Sequence, residues 1–252
     1  MDSVVSIVTV SYNSAGTILD TIESVRNQSY PHIEYIVVDG GSTDGTVDIL
    51  KKNDTVIDDW ISEPDKGIYD AMNKGIRRSH GHIVGILNSD DWYEPNTIKT
   101  VVRAFKDDND VDLVHGAMNL WTEDKKFHAR RGEKDHLPPE FTAPFYHPTC
   151  FVRRRVFDHA GVFALDLPTA ADYDFMLRFM QSGCKDLYID QVLTNFRQGG
   201  VTSEYIFSPY GQIWKVLRRN QRGLLTCCNA LLYRGVRDTA AYIMNRFPLN
   251  GV

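Results

Sequence analysis

Carboxylates and amides in this 252-residue chain cluster at the ends of short apolar runs. The sharpest case is Asn88-Ser89-Asp90-Asp91, which follows directly on the apolar run 83–87. Hard oxygen donors of this kind suit Mg²⁺ or Mn²⁺, which commonly take one or two carboxylates and complete their shell with substrate phosphates. Two adjacent acids also repel each other unless positive charge sits nearby. A metal–diphosphate site therefore fits Asn88, Asp90 and Asp91 better than a plain turn capping the helix that Pro95 opens.

Other stretches carry weaker signals. Asp39 ends an apolar run and precedes Gly40-Gly41-Ser42-Thr43-Asp44-Gly45. Its carboxylate could accept hydrogen bonds from a ribose or a base imide, or it could equally cap the following helix. The glycines would let backbone approach a ligand, but their spacing is not that of a dinucleotide fingerprint. Tyr12-Asn13 could stack on and bond to a base, or form a simple turn. Lys66, within Glu63-Pro64-Asp65-Lys66-Gly67, would suit a phosphate at a helix start, or sit in a solvated loop. Asp172 and Asp174 open an amphipathic helix. Asp172 is placed either to cap it or to act as a general base toward an attacking hydroxyl. His147 lies in a loop, where it could meet an acceptor or phosphate, although a structural histidine is the plainer reading.

The elements that would position these residues alternate. Strand-like runs at 4–10, 33–38, 56–61 and 83–87 are separated by helical spacing at Ile18/Ile22/Val25, at Val47/Ile49/Leu50 and over 68–79, with Ile98, Val101, Val102 and Phe105 after the last. This predicts a largely parallel sheet flanked by helices, and ligands bind at the carboxyl ends of such strands. The second half is less regular. Residues 112–115 and 150–152 read as strands, 173–180 as a helix, and the proline-bearing stretch 121–148 as an irregular lid. Residues 205–252 read as two helices, with Ser208-Pro209 as cap and first turn and Gly223 as a stop.

Composition sets outer limits. An apolar share of 42% and a charged share of 24% are those of an ordinary globular protein. The net charge of −5 argues against nucleic acid as partner. Apolar runs are too short to span a bilayer, and neither a signal-peptide pattern nor a CxxC spacing is present, so free thiols and a cytoplasmic location are expected. Residues 205–252 carry seven basic residues (Lys215, Arg218, Arg219, Arg222, Arg234, Arg237 and Arg246) against Asp238. The basic tail is read either as a membrane-surface contact or as a packed appendage or dimer contact.

In this order the pieces resemble the family 2 glycosyltransferases of the GT-A fold. The matching runs are Val5 to Asn13, Ile36 to Thr46, Asn73-Lys74-Gly75-Ile76, Leu87 to Asp91 and Asp172-Tyr173-Asp174. The longer string from Glu63 to Ile76 looks like a subgroup from bacterial capsule, O-antigen and exopolysaccharide synthesis. The resemblance implies a Rossmann-like, mostly parallel mixed sheet, with a catalytic domain over 1–204 (nucleotide half to about 115, acceptor half beyond) and a helical appendage over 205–252. It implies inverting transfer of a sugar from a nucleotide-diphosphate donor, UDP favoured, to a saccharide or polyprenyl-diphosphate-linked acceptor. Val10, Tyr12, Asn13, Asp39, Asp65, Lys66, Asn73 and Ser89 would form the nucleotide pocket. Asp90, with Asn88 and Asp91 assisting, would hold Mn²⁺ or Mg²⁺. Asp172 would be the base, and His147 and Asp174 would face the acceptor. The chain departs from the pattern at Asn88, Gly40 and Ala171, where relatives often carry acids. It lacks the Gln-x-x-Arg-Trp string of processive synthases, so one sugar per encounter is expected. The competing readings are a sugar nucleotidyltransferase, which would need a basic glycine-rich loop where Ser11-Tyr12-Asn13-Ser14-Ala15-Gly16 stands, and a non-catalytic binding subunit.

Overall fold

The computed structural model describes residues 3–122, 125–129, 137–199 and 209–246. Strands β1 (Val5–Ser11), β2 (Ile33–Asp39), β3 (Asp59–Ser62) and β4 (Ile83–Asn88) come first. Helices α1 (Ile18–Arg26), α2 (Thr46–Lys52) and α3 (Ile68–Arg78) connect them. The two-residue β5 (Trp92–Tyr93) precedes α4 (Thr97–Asp107). Then follow β6 (Val111–Thr122), β7 (Lys125–Ala129), β8 (Phe151–Arg153), α5 (Arg155–Ala160), α6 (Ala171–Gln181), β9 (Lys185–Arg197), α7 (Pro209–Arg219) and α8 (Leu224–Arg246).

The nine strands among the described residues join one sheet in the order β3-β2-β1-β4-β8-β6-β9-β5, with β7 paired to β6. The first four are mutually parallel, and β8 runs against both β4 and β6. Their registers make the carboxyl ends level: Ser11 lies beside Asp39, Asp39 beside Ser62, and Val10 beside Asn88. The order reverses at β1, which has β2 on one side and β4 on the other. A crevice at such a reversal is where open α/β sheets bind ligands.

Period-two alternation divides the core. Val8, Val10, Ile36, Val38, Val84 and Ile86 face α3, α5 and α6. Val5, Ile7, Val37, Ile83 and Leu87 face α1 and α4. Helix α3 lies so close to β1 that a Cβ added at Gly75 would fall 2.1 Å from Val8 Cγ1. The glycine in Asn73-Lys74-Gly75 thus sets the height of α3 above the sheet.

The first half matches the expected alternation, although β3 starts at Asp59 and Val56 and Ile57 lie in a turn before it. The second half holds more strand than expected. The run predicted at 112–115 extends as β6 to Thr122, and β7 folds back on it inside the stretch expected to be an irregular lid. Residues 138–148 are irregular apart from the short turn His147–Thr149. Strand β9 was not anticipated. Most of its side chains are at least partly exposed, and shifts in its pairing with β6 near Gly116 and Ala117 break the alternation a strand would show.

The tail is two helices, as expected, while the Ser208 cap lies outside the described residues. Ile213, Val216 and Leu217 of α7 and Cys227 and Ala230 of α8 are buried in the core that includes α6. Much of the basic charge is internally matched. Lys215 and Arg219 pair with Asp166, Arg222 with Glu140 and Arg237 with Asp238. Leu224, Leu225, Leu232 and Val236 of α8 are exposed. Among the described residues no helix is long and apolar enough to cross a membrane.

Candidate active site

Loops from the four parallel strands meet at the level edge and are tied together. Asn13 adopts φ +49° and accepts the Thr43 N–H at 2.9 Å through Oδ1, while its own N–H donates to Ser42 Oγ at 2.7 Å. Asp44 accepts from Ala15 N–H and from both the N–H and hydroxyl of Thr46, so it starts α2 and anchors α1's approach. The Ser14 and Ser89 hydroxyls lie 2.7 Å apart, joining the β1 loop to the β4 loop. Val10 is buried, and its carbonyl accepts the Ser89 N–H at 3.2 Å.

Asp39 is fully buried and accepts from Gly41 N–H, Ser42 N–H, Ser42 Oγ and Ser62 Oγ. Its carboxylate shapes the glycine loop, and a nucleotide would have to displace one of those hydroxyls to reach it. Tyr12, 66% exposed, lies over Gly40 together with Asp65. A Cβ at Gly40 would meet the Asp65 carboxylate at 2.5 Å and the Tyr12 ring at 3.3 Å. Any side chain at this position would have to displace the Asp65 carboxylate. Lys66 is exposed at the loop before α3, and its N–H donates to Asp70.

Two residues assigned to pockets by resemblance belong instead to the scaffold. Asn73 is 3% exposed, and its amide clamps the backbone of Phe163, donating to the carbonyl at 2.8 Å and accepting the N–H at 3.0 Å. Asp174 is 1% exposed, paired with Arg178 at 2.9 Å and hydrogen-bonded by Asn220 at 2.9 Å. It fastens α6 to α7, because the helical period turns it away from Asp172 toward the interior.

At the end of β4 the two acids differ. Asp91 is fully buried and accepts the Arg197 N–H at 2.9 Å and the Asn88 amide at 3.3 Å. Burial and the neighbouring Asp90 charge push its carboxyl well above the ordinary range. Its geometry is that of a brace between β4 and β9 rather than a ligand. Asp90 is partly exposed, and burial raises its carboxyl above the ordinary range while Arg197 opposes the shift. Asn88 Oδ1 is buried with no hydrogen-bond partner. An orphaned amide oxygen beside a desolvated carboxylate is a donor set that fits a hard divalent cation. Among the described residues no group of three or more His, Cys, Asp or Glu is placed to hold a metal. Diphosphate oxygens would supply the remainder.

Asp172 lies in the first turn of α6 and accepts the Tyr69 hydroxyl at 2.9 Å through Oδ1. Tyr69 is in the first turn of α3, which leaves the sheet after the carboxyl end of β3. Asp172 therefore stands at the same edge as Asn88 and Asp90. His147 lies near it, with its ring edge-on to Phe163 at 5.6 Å. Burial holds the imidazole below its ordinary value, against the pull of the Asp172 charge. Tyr69 and Arg197 carried no assigned role in the sequence. Tyr69 sits in the first turn after Gly67, a position that strand–loop–helix order alone puts at the edge. Arg197 reaches the edge only through β9, which has no periodic signature.

Comparisons with known proteins bear on the family and the fold. The model of glycosyl transferase family 2 matches residues 6–161. A glycosyltransferase of unknown specificity from Mycobacterium tuberculosis (strain ATCC 25618 / H37Rv) is 32% identical over 208 residues, covering 79% of this chain and 77% of that protein. TuaG of Bacillus subtilis (strain 168), whose name proposes a role in teichuronic acid biosynthesis, is 42% identical over 99 residues, covering 38% of this chain and 39% of that protein. The fold is similar to that of S. aureus TarS 1-349 in complex with UDP-GlcNAc (TM-score 0.69, 21% identity, 86% of this chain and 65% of that one). It is equally similar to the mannosyltransferase PcManGT from Pyrobaculum calidifontis in complex with GDP-Man and Mn²⁺ (TM-score 0.69, 19% identity, 100% of this chain and 77% of that one). With its family model spanning more than half its length and a GT-A sheet whose strand ends converge on one acid-bearing edge, the chain is a glycosyltransferase and belongs to glycosyl transferase family 2.

Proposed function

We propose that the chain transfers one sugar at a time, with inversion, from a nucleotide-diphosphate sugar to a hydroxyl of a saccharide or lipid-linked saccharide acceptor in surface polysaccharide synthesis. The observation that carries this reading is the Asp172 carboxylate, held at the edge that also bears Asn88 and Asp90, with one oxygen engaged by Tyr69. No hydrogen bond from the described residues reaches its other oxygen. The exposed Tyr12 ring offers a face for the base, and Asp65 and Lys66 stand at the same mouth. A nucleotide-diphosphate sugar is the donor of this reading: TarS, similar in fold, carries UDP-GlcNAc, PcManGT, equally similar, carries GDP-Man, and UDP is the first nucleotide to test. The TuaG likeness supports a cell-surface polymer as the destination.

In the reaction so read, Asp172 Oδ2 takes the acceptor's proton while the freed oxygen attacks the anomeric carbon. The bond to the nucleoside diphosphate breaks on the opposite side, and its electron pair leaves with the phosphate. Asp90 and Asn88 Oδ1 would hold the divalent cation, which supplies positive charge for the departing diphosphate. Asp91, braced by Arg197, keeps those two donors in place. A lipid-linked acceptor or a second chain would be met by α8, whose exposed Leu224, Leu225, Leu232 and Val236 offer apolar surface.

Asp172→Asn tests the assignment. Turnover of donor should fall by about 10²- to 10⁴-fold, the usual worth of a general base, while UDP affinity measured by titration calorimetry stays within twofold. Turnover close to wild type would remove Asp172 from the mechanism.

A further inference from the structure

The Tyr69–Asp172 contact goes further than the reading above, on which it rests. Tyr69 belongs to α3 and Asp172 to α6, 103 positions apart, yet the phenol meets the carboxylate at 2.9 Å. The phenol is held from several sides. Tyr69 is 8% exposed, and its ring packs on Phe163 with centroids 5.6 Å apart. Phe163 is in turn clamped through its backbone by Asn73, one turn further along α3 and on the same face. The phenol meets Asp172 at an α6 N-terminus whose preceding residue, Ala170, offers no side-chain cap. Burial and the Asp172 charge push the phenol well above its ordinary value, so it stays protonated and donates.

We propose that Tyr69 is a positioning residue for the base: its hydroxyl fixes Asp172 Oδ1, which leaves Oδ2 as the oxygen that takes the acceptor's proton. A carboxylate at a helix start otherwise rotates about its side-chain torsions. An ångström of misplacement at a reacting group can cost on the order of a hundredfold in rate. Tyr69 does not touch the donor or the acceptor in this scheme. Its effect passes entirely through Asp172, and that is what separates it from a residue that merely packs.

Tyr69→Phe keeps the ring against Phe163 and removes only the hydroxyl. The assay is release of UDP from UDP-GlcNAc, UDP-glucose and UDP-galactose with Mn²⁺ and water as acceptor, followed in the wild type, Tyr69→Phe, Asp172→Asn and the double variant, with excess enzyme for slow forms. The expected result is a kcat lower by about 10- to 100-fold in Tyr69→Phe, with KM for the donor within twofold. In the Asp172→Asn background the same change should slow the reaction by less than twofold. Tyr69→Phe with more than half the wild-type kcat would overturn the proposal. So would an equal slowing with and without Asp172, which marks a purely structural role. A wild type that releases UDP from none of the three, and binds none in calorimetry, would sink the donor reading itself and the proposal with it. That outcome is distinguishable because it precedes any comparison of variants.

Discussion

At the scale of single residues, charge and hydrogen-bond capacity separate cleft from scaffold. Asp39, Asn73, Asp91 and Asp174 all lie in motifs that look chemical, yet each is buried and its polar atoms are engaged within the chain. Tyr12, Asp90 and Asp172 retain exposure, and no partner from the described residues reaches Asp172 Oδ2. Asn73→Ala isolates the difference. It leaves the Phe163 N–H and carbonyl without their partners, and an unsatisfied buried polar group costs roughly 1–3 kcal/mol. The variant should therefore lose stability of that order in urea unfolding while binding UDP as the wild type does. Unchanged stability with weakened UDP binding would return Asn73 to the nucleotide pocket. Residue types and spacing singled out these acids and amides as a set. They could not say which face the interior, because that depends on what Arg197, Phe163 and Asn220 bring from distant parts of the chain.

At the scale of elements, the parallel half was legible because β1, β2 and β4 are largely apolar runs bounded by turns, and the helices between them carry apolar stripes. The positions of Asp39 and Asn88 at strand ends follow from that alone. Strand β9 and the short α5 were not legible, since a half-exposed strand with pairing shifts and a six-residue helix leave little pattern. The tail is fixed by elements as well. Helix α7 buries Ile213, Val216 and Leu217 and adds Lys215 and Arg219 to Asp166. Hydrogen bonds from Arg219 and Lys215 hold the Asp166 carboxyl well below the ordinary carboxylate range. The folded value is depressed, so the stabilisation is complete above the unfolded value near about 4 and is lost as pH falls through the folded one. Asp166→Asn should lower Tm by about 1–2 °C at pH 7, a small change because the pair is exposed and screened. The gap between variant and wild type should close as pH drops from about 4 toward 2.5, and 0.5 M salt should narrow it at pH 7. A gap that widens on acidification would contradict the ion-pair account.

At the scale of the whole molecule, the sheet brings sequence-distant acids to one place because its four parallel strands end level and its order reverses at β1. The acid-rich body and the basic tail are complementary, and several tail cations are matched by body acids such as Asp166 and Glu140. The central claim is that this edge holds a nucleoside diphosphate through a cation at Asp90. The most direct measurement is thermal unfolding with UDP, with and without Mn²⁺, in the wild type and in Asp90→Ala. A ligand at a hundred times its Kd stabilises by about 2.7 kcal/mol, a shift of several degrees at this size. Stabilisation by UDP that requires Mn²⁺ and disappears in Asp90→Ala is the predicted result. Stabilisation that is equal in both proteins, or indifferent to Mn²⁺, would contradict it.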